Sequence, residues 1–420
     1  MNLRNASTLP AAANTDGPVP SDSPLLQVCS GSSFTFSYED ERKRIVKRTV
    51  NILHVLFRSD GIIGRGRGTI VVRVKCACVH CSGQCDWAGR NLILKISFLQ
   101  ENRASEKTFM DLCRDKAVGE HAWVLNHLPR IYCSFKMPFD VCTARHKLET
   151  RFQDKYEMRI LRGSIQEELQ PLSELRTGKE FAQVYFDVVQ CHHWVYTYPK
   201  ILHRDISDGN IMFREEEGKI YGVLNDWDLA LLDPETEKSP TSQFRTGTKP
   251  FLAHEQHDFD WTGPHRYRHD MESMFYVILF QSCLYTGPRA TLSTEPIWDN
   301  HHIEEWHQED DFELWNKKQG LINNAKWKPP VQDFFEPFSF WLSSIQRHLY
   351  LGFMARTIHL FQQNALATSG HSSSQTSPAY DDVTLNNNFS YDKVVIIMHR
   401  YDEEPLEIRG NEWQQRLVRE

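Results

Sequence analysis

Residues 201–230 read ILHRDISDGNIMFREEEGKIYGVLNDWDLA, and the architecture of the chain follows from them. The first acidic centre is His203-Arg204-Asp205, followed by Asn210 and the apolar run Ile211-Met212-Phe213. The second is Asn225-Asp226-Trp227-Asp228, entered through Tyr221-Gly222-Val223-Leu224 and left through Leu229-Ala230. Between them REEEGK is polar, ends in Gly-Lys and suits a hairpin turn. Loop, strand, turn, strand and loop then bring Asp205, Asn210 and Asp226 to one mouth. Phosphoryl transfer needs such a set: a carboxylate to orient the attacking hydroxyl, and hard oxygen ligands for magnesium on the phosphates. Asp205 is the candidate base, and Asn210 and Asp226 are the candidate metal ligands.

Composition bounds the rest. A chain of 420 residues with 40% apolar content can bury a large core, in one two-lobed unit or two domains with tails. A formal charge of −7 gives no support to a nucleic-acid partner. The longest wholly apolar run, Met274–Phe280, is too short to cross a bilayer, and no apolar segment follows a charged start. No membrane association is expected, and the cytoplasm or nucleus is the expected location. The 10 cysteines then suit free thiols or metal ligands better than a disulfide framework.

Upstream, residues 1–35 are rich in Ser, Pro, Ala, Asn and Thr and read as a disordered tail. Tyr38 to Leu56 reads as a basic helix, with Ile45, Val50, Ile52, Leu53 and Leu56 apolar. Gly61, Gly64, Gly66 and Gly68 then lead into the β-branched run to Lys75, a turn whose backbone N–H groups can approach phosphates. Lys95 lies inside the apolar strand 91–98, where an ammonium needs a partner. A carboxylate should come from a following helix, Ser105 to about Asn126, with Ser105 as N-cap. Glu106 and Glu120 both qualify. Cys76, Cys78, His80, Cys81 and Cys85 could satisfy zinc, but a second CxxC is missing, so a cysteine-rich hairpin without metal is expected.

Gly163-Ser164 reads as a hinge between a β-rich lobe, residues 36–162, and a helical lobe, residues 163–362. Residues 172–198 carry a broad apolar helix face that leads into the acidic stretch. Residues 233–243 are loop-like and lead to RTGTKPFLAHE, ahead of an apolar helix containing His269-Asp270-Met271-Glu272. The tryptophans from Trp298 to Trp341 read as core. Residues 363–420 read as a polar linker and charged tail containing a strand-like run, Val394–Met398.

LKISF, ENRASE, WVLNHLP, HRDISDGNIM, NDWDLA, RTGTKPFLAHE and HDMESMFYVI together resemble the fungal-type protein kinase family over about residues 60–285. The resemblance implies an α+β, bilobal protein-kinase-like fold, with ATP and Mg2+ as cofactors and a protein substrate. Gly64, Gly66, Gly68 and Val71 would cover the nucleotide, although Thr69 stands where the pattern's third glycine belongs. Lys95 would position the phosphates, and the family's R-x-S-E pattern selects Glu106 as its partner. Asp205 would be the base, and Asn210 and Asp226 the magnesium ligands. Thr248 would face Asp205, Glu255 would anchor the activation segment, and Asp270 would brace the HRD turn.

Three departures matter: Ser207 in place of a lysine, Asp228 in place of the glycine of D-F-G, and His254 in place of a proline. The loop does not fix the acceptor class, and Ser/Thr is the expected one. A small-molecule phosphotransferase shares D-x-x-x-x-N but lacks the activation segment. A pseudokinase scaffold is the other alternative. Arg204 calls for an acidic partner, either a phosphate on Thr236, Ser239, Thr241, Ser242 or Thr246, or a carboxylate of Glu235, Glu237, Asp228 or Asp233.

Overall fold

The computed structural model describes residues 28–59, 68–78, 85–101, 103–137, 159–234, 247–288, 303–369 and 380–410. The chain divides into two compact units, Met1–Met110 with Arg130–Glu168, and Asp111–Pro129 with Leu169–Glu420.

The first unit is built on a six-stranded antiparallel sheet. Its strands are β1 (Ser33–Glu39), β2 (Ile45–Arg58), β3 (Ile70–Cys76), β4 (Leu92–Gln100), β5 (Ile131–Met137) and β6 (Arg159–Glu167). They lie in the order β1-β2-β3-β4-β6-β5. Val50, Ile52, Val72, Val74, Leu92, Leu94 and Ile96 fill its core, so β-branched and Leu side chains are packed from neighbouring strands.

The helix expected over Tyr38–Leu56 is instead β1, a turn and β2. Val50 and Ile52 alternate with more exposed neighbours, as a half-buried strand requires. Register shifts between Ile52 and His54, and between Val55 and Phe57, break that alternation and hide the period of two. Gly163-Ser164, expected as a hinge, lies inside β6. A Cβ at Gly163 would come within 2.3 Å of the Phe135 ring, so glycine there serves close packing.

Helix α1 (Glu106–Lys116) is shorter than expected. Ser105 Oγ accepts the Thr108 N–H at 3.2 Å as its N-cap. Beyond Lys116 the chain passes through Gly119, at φ +59°, into the 3₁₀ turn Gly119–His127.

The second unit holds the short strands β7 (Gln170–Pro171) and β8 (Ile201–Leu202) and centres on α2 (Gly178–Thr197), opened by a Thr177/Glu180 capping box. The other helices are α3 (Tyr267–Leu284), buried almost all round, α4 (Asp311–Asn323), α5 (Phe338–Ser369) and α6 (Tyr391–Met398). Trp306, Trp327 and Trp341 are core as expected, Trp315 is half-exposed, and Trp298 lies outside the described residues.

Residues 380–410 are not a linker and tail. Leu385, Phe389, Tyr391, Val394, Val395 and Met398 are buried, and the Tyr391 ring stacks on His193 of α2 at 3.6 Å. The run Val394–Met398 is helical rather than a strand, because short apolar runs carry no decisive period. Arg409 then clamps Asp187 of α2 through two hydrogen bonds, 2.9 and 3.2 Å long. Among the described residues no helix is long and apolar enough to cross a membrane.

Candidate active site

The REEEGK segment folds as sequence chemistry demands. Strands β9 (Ile211–Glu216) and β10 (Lys219–Leu224) pair antiparallel around Glu217-Gly218, whose φ angles of +52° and +72° match a two-residue hairpin turn. The hairpin lies directly on α2. A Cβ at Gly222 would come within 2.4 Å of the Val184 carbonyl, and the Gly222 N–H reaches Asp187 at 3.0 Å. Register fixes the mouth: Ile211 opposes Leu224, and the Asn225 N–H donates to the Asn210 carbonyl at 2.8 Å. Asp226 follows at once, held at φ +59°.

Asn210 also reaches back. Its Nδ2 donates to the Asp205 carbonyl at 2.7 Å, which turns its Oδ1 to the other side. The Asp205 carboxylate accepts the Thr248 hydroxyl at 2.7 Å. Asp205, Asn210 and Asp226 are thus drawn to one end of the hairpin, with Asp205 buried and the other two half-buried.

His203 ties the two acidic centres together. Its Nδ1 accepts the Asp205 N–H at 3.2 Å, so Nε2 carries the proton that it donates to the Asn225 carbonyl at 2.9 Å. The ring is fully buried, and burial pushes its pKa down, which favours this neutral tautomer. Trp227 packs edge-on against it at 4.6 Å and donates Nε1–H to the Leu224 carbonyl.

A second layer holds that frame. Asp270 accepts the Arg204 N–H at 3.0 Å, His265 Nε2–H at 2.7 Å and His192 Nε2–H at 2.9 Å. Burial raises its carboxyl, but His265 and His192 outweigh burial and hold it well below the usual range. Glu255 is fixed by Arg268 at 2.6 Å, His269 at 2.5 Å and Arg356. Burial opposes its charge too, and the Arg268 and Arg356 guanidiniums together with the His269 N–H more than compensate.

Lys95 stands on β4 inside the first unit, opposite Val71 on β3, so their side chains share one face. Lys95 Nζ pairs with Glu106 Oε1 at 2.8 Å, and both residues are only 5% exposed. Glu120 is exposed on its 3₁₀ turn, and the lysine's partner is Glu106. Gly68, at φ +54°, is the one glycine of the expected phosphate turn that is described; Gly64 and Gly66 lie outside the described residues. So do Glu235, Thr236, Glu237, Ser239, Thr241, Ser242 and Thr246.

Asp228 is buried, and its N–H donates to Asp226 Oδ1 at 3.3 Å. Its φ is not positive, so no glycine is needed there; the left-handed residue of this segment is Asp226. Sequence reasoning missed Asp187, which supports Gly222 of β10 and is clamped by Arg409. An aspartate inside the apolar face of α2 was the available signal.

Among curated proteins none matches the chain. Among solved structures the chain is similar to one described as "Structure of vaccinia related kinase 3", with TM-score 0.45, 11% identity and 93% of each chain covered. The sequence profile described as "Fungal protein kinase" matches residues 25–282, more than half of the chain. The chain therefore belongs to the fungal protein kinase family and is a phosphotransferase of the protein kinase type.

Proposed function

We propose that this kinase transfers the γ-phosphoryl group of ATP to a Ser/Thr hydroxyl of a protein, with magnesium as its metal. The observation that carries this is the hairpin mouth, where the Asn225-to-Asn210 backbone bond sets two oxygen-bearing side chains beside Asp205. Asn210 and Asp226 fit a hard cation: one offers an amide oxygen whose nitrogen is already engaged, the other a half-buried carboxylate. Magnesium, when bound, neutralises charge on the phosphate oxygens.

Asp205 orients the acceptor hydroxyl and takes its proton. Its carboxylate already accepts an aliphatic hydroxyl from Thr248, the type of group that a Ser/Thr substrate presents. Lys95, held by Glu106, supplies the positive charge that aligns the phosphates. His203 and Asp270 keep the loop of Asp205 in place.

The test is phosphotransfer from radiolabelled ATP and magnesium to generic protein acceptors, followed by phosphoamino-acid analysis. Phosphoserine and phosphothreonine are expected. Label passing only to aminoglycosides or choline would assign a small-molecule phosphotransferase instead, and ATP binding with no transfer would assign a scaffold.

A further inference from the structure

The cysteine-rich connection between β3 and β4 plays no part in the phosphoryl-transfer chemistry proposed above, yet its described residues are closely organised. Cys76 ends β3, Cys78 follows it, and Cys85 opens the turn that leads to β4. The three Sγ atoms lie within 4.8 Å of one another, with Cys76 at 2.8 Å from Cys78 and 3.6 Å from Cys85. Among the described residues none of the three forms a disulfide. A cystine would use two of them, whereas a soft cation uses all three. Tetrahedral zinc with Zn–S bonds of about 2.3 Å holds its sulfurs about 3.8 Å apart; the Cys76–Cys85 separation is close to this, and the Cys76–Cys78 separation is shorter.

The backbone around the cluster is fixed rather than adaptable. Ala77 N–H donates to the Thr49 carbonyl at 3.0 Å, and Ala88 N–H closes the turn onto the Cys85 carbonyl at 3.0 Å. Gly89, at φ +74°, completes that turn. Cys85 and Trp87 belong to the core of the first unit, and Cys76 and Cys78 pack against it.

A cation-bearing side chain points at the sulfurs. Arg48 of β2 donates from Nη1 to Cys85 Sγ at 3.3 Å, hydrogen-bonds Cys78, and lies over the Trp87 ring at 5.0 Å. A guanidinium gains little from a neutral thiol but makes a charge-assisted bond to a thiolate. Such donors to metal-bound sulfur set ligand geometry and offset the negative charge of a thiolate site.

We propose that Cys76, Cys78 and Cys85 bind a structural zinc ion, with Arg48 as a positioning residue that donates to its thiolates. This reverses the expectation of a metal-free hairpin, which rested on irregular spacing along the chain; the sulfurs meet through the fold. Three thiolates leave one position of the tetrahedron to a further ligand. The ion would clip together the two ends of the β3–β4 connection, and β4 carries Lys95.

The experiment is metal analysis of the full-length chain purified without added metal or chelator, paired with thiol counting under native and denaturing conditions. The proposal expects about one zinc per chain and three thiols that react only after chelation or unfolding. Cobalt exchange should give thiolate-to-cobalt charge-transfer absorption. Cys76→Ser/Cys85→Ser should lose the metal, and Arg48→Ala should weaken binding by about 10- to 100-fold. If the serine variant does not fold, the wild-type stoichiometry, thiol protection and cobalt spectrum still decide. Metal-free protein whose three thiols react in the native state, a cystine joining Cys76 to Cys85, or zinc retained in the folded serine variant would each overturn the proposal.

Discussion

Thr248 donates its hydroxyl to Asp205 Oδ1 at 2.7 Å, joining the segment before Glu255 to the acidic centre of the hairpin mouth. A hydrogen bond to a carboxylate contributes about 1.5–3 kcal/mol. Thr248→Val should therefore lower kcat by roughly 10- to 100-fold, with KM for ATP little changed, while Thr248→Ser retains most activity. Steady-state kinetics on the two variants measures this. Equal turnover in Thr248→Val and wild type would show that the bond does not serve catalysis.

Lys95 and Glu106 form a pair in which both members are 5% exposed. Removing one member strands a buried charge, at a cost of about 3–5 kcal/mol. Lys95→Met and Glu106→Met should each lower the thermal midpoint clearly. The double variant should recover much of that stability, since an apolar pair needs no counter-charge, but none of the phosphotransfer. A double-mutant cycle by thermal and chemical denaturation reads the coupling.

Acid should weaken the second unit in two stages. His269 Nδ1 accepts the Arg266 N–H and its Nε2–H donates to Glu255, so the ring is held neutral. Burial and then Arg268 press its pKa down to about 4. The folded value lies below the unfolded one of about 6.5, so its contribution is complete above that pH and fades as pH falls toward the folded value. Glu272 is pressed down to about 2, where burial is outweighed by His254 and Tyr276. Its contribution fades as pH drops below the ordinary glutamate value of about 4.3. Thermal midpoints measured across this range should fall in both windows, and His269→Gln should flatten the upper one.

Arg409 is expected to matter as much as a core residue. It supplies two hydrogen bonds to Asp187, which is fully buried and also receives the Gly222 N–H of β10. Arg409→Ala should destabilise the fold by about 3–5 kcal/mol and should also reduce phosphotransfer, because Gly222 belongs to the hairpin that carries Asp226. Arg409→Ala/Asp187→Ala should be less damaging than the two single effects added together. Urea unfolding of the three variants gives the comparison.

The hairpin between the two acidic centres was legible because its determinants are local. Glu-Gly at a two-residue turn fixes the register, and register alone brings Asn210 to Asn225. Lys95 was legible because an ammonium in an apolar strand demands a partner, yet the residues alone did not separate Glu106 from Glu120. Strand β2 was misread because its register shifts erase the alternation that marks a strand, while Arg42 to Arg48 imitate a charged helix face. Residues 380–410 were misread because a few anchors, among them Phe389 and Tyr391, are diluted in polar sequence. Contacts between distant positions, such as Asp187 with Arg409 or Arg48 with Cys85, leave no periodic trace.

The central claim rests on Asp226 as a metal-binding carboxylate of a working kinase. Its most direct test is phosphotransfer from radiolabelled ATP by wild type and Asp226→Asn over a magnesium titration, with thermal midpoints confirming that both are folded. The account predicts label transfer by wild type and a loss of at least about a hundredfold in the variant, unrelieved by more magnesium. Near wild-type turnover by folded Asp226→Asn would contradict it.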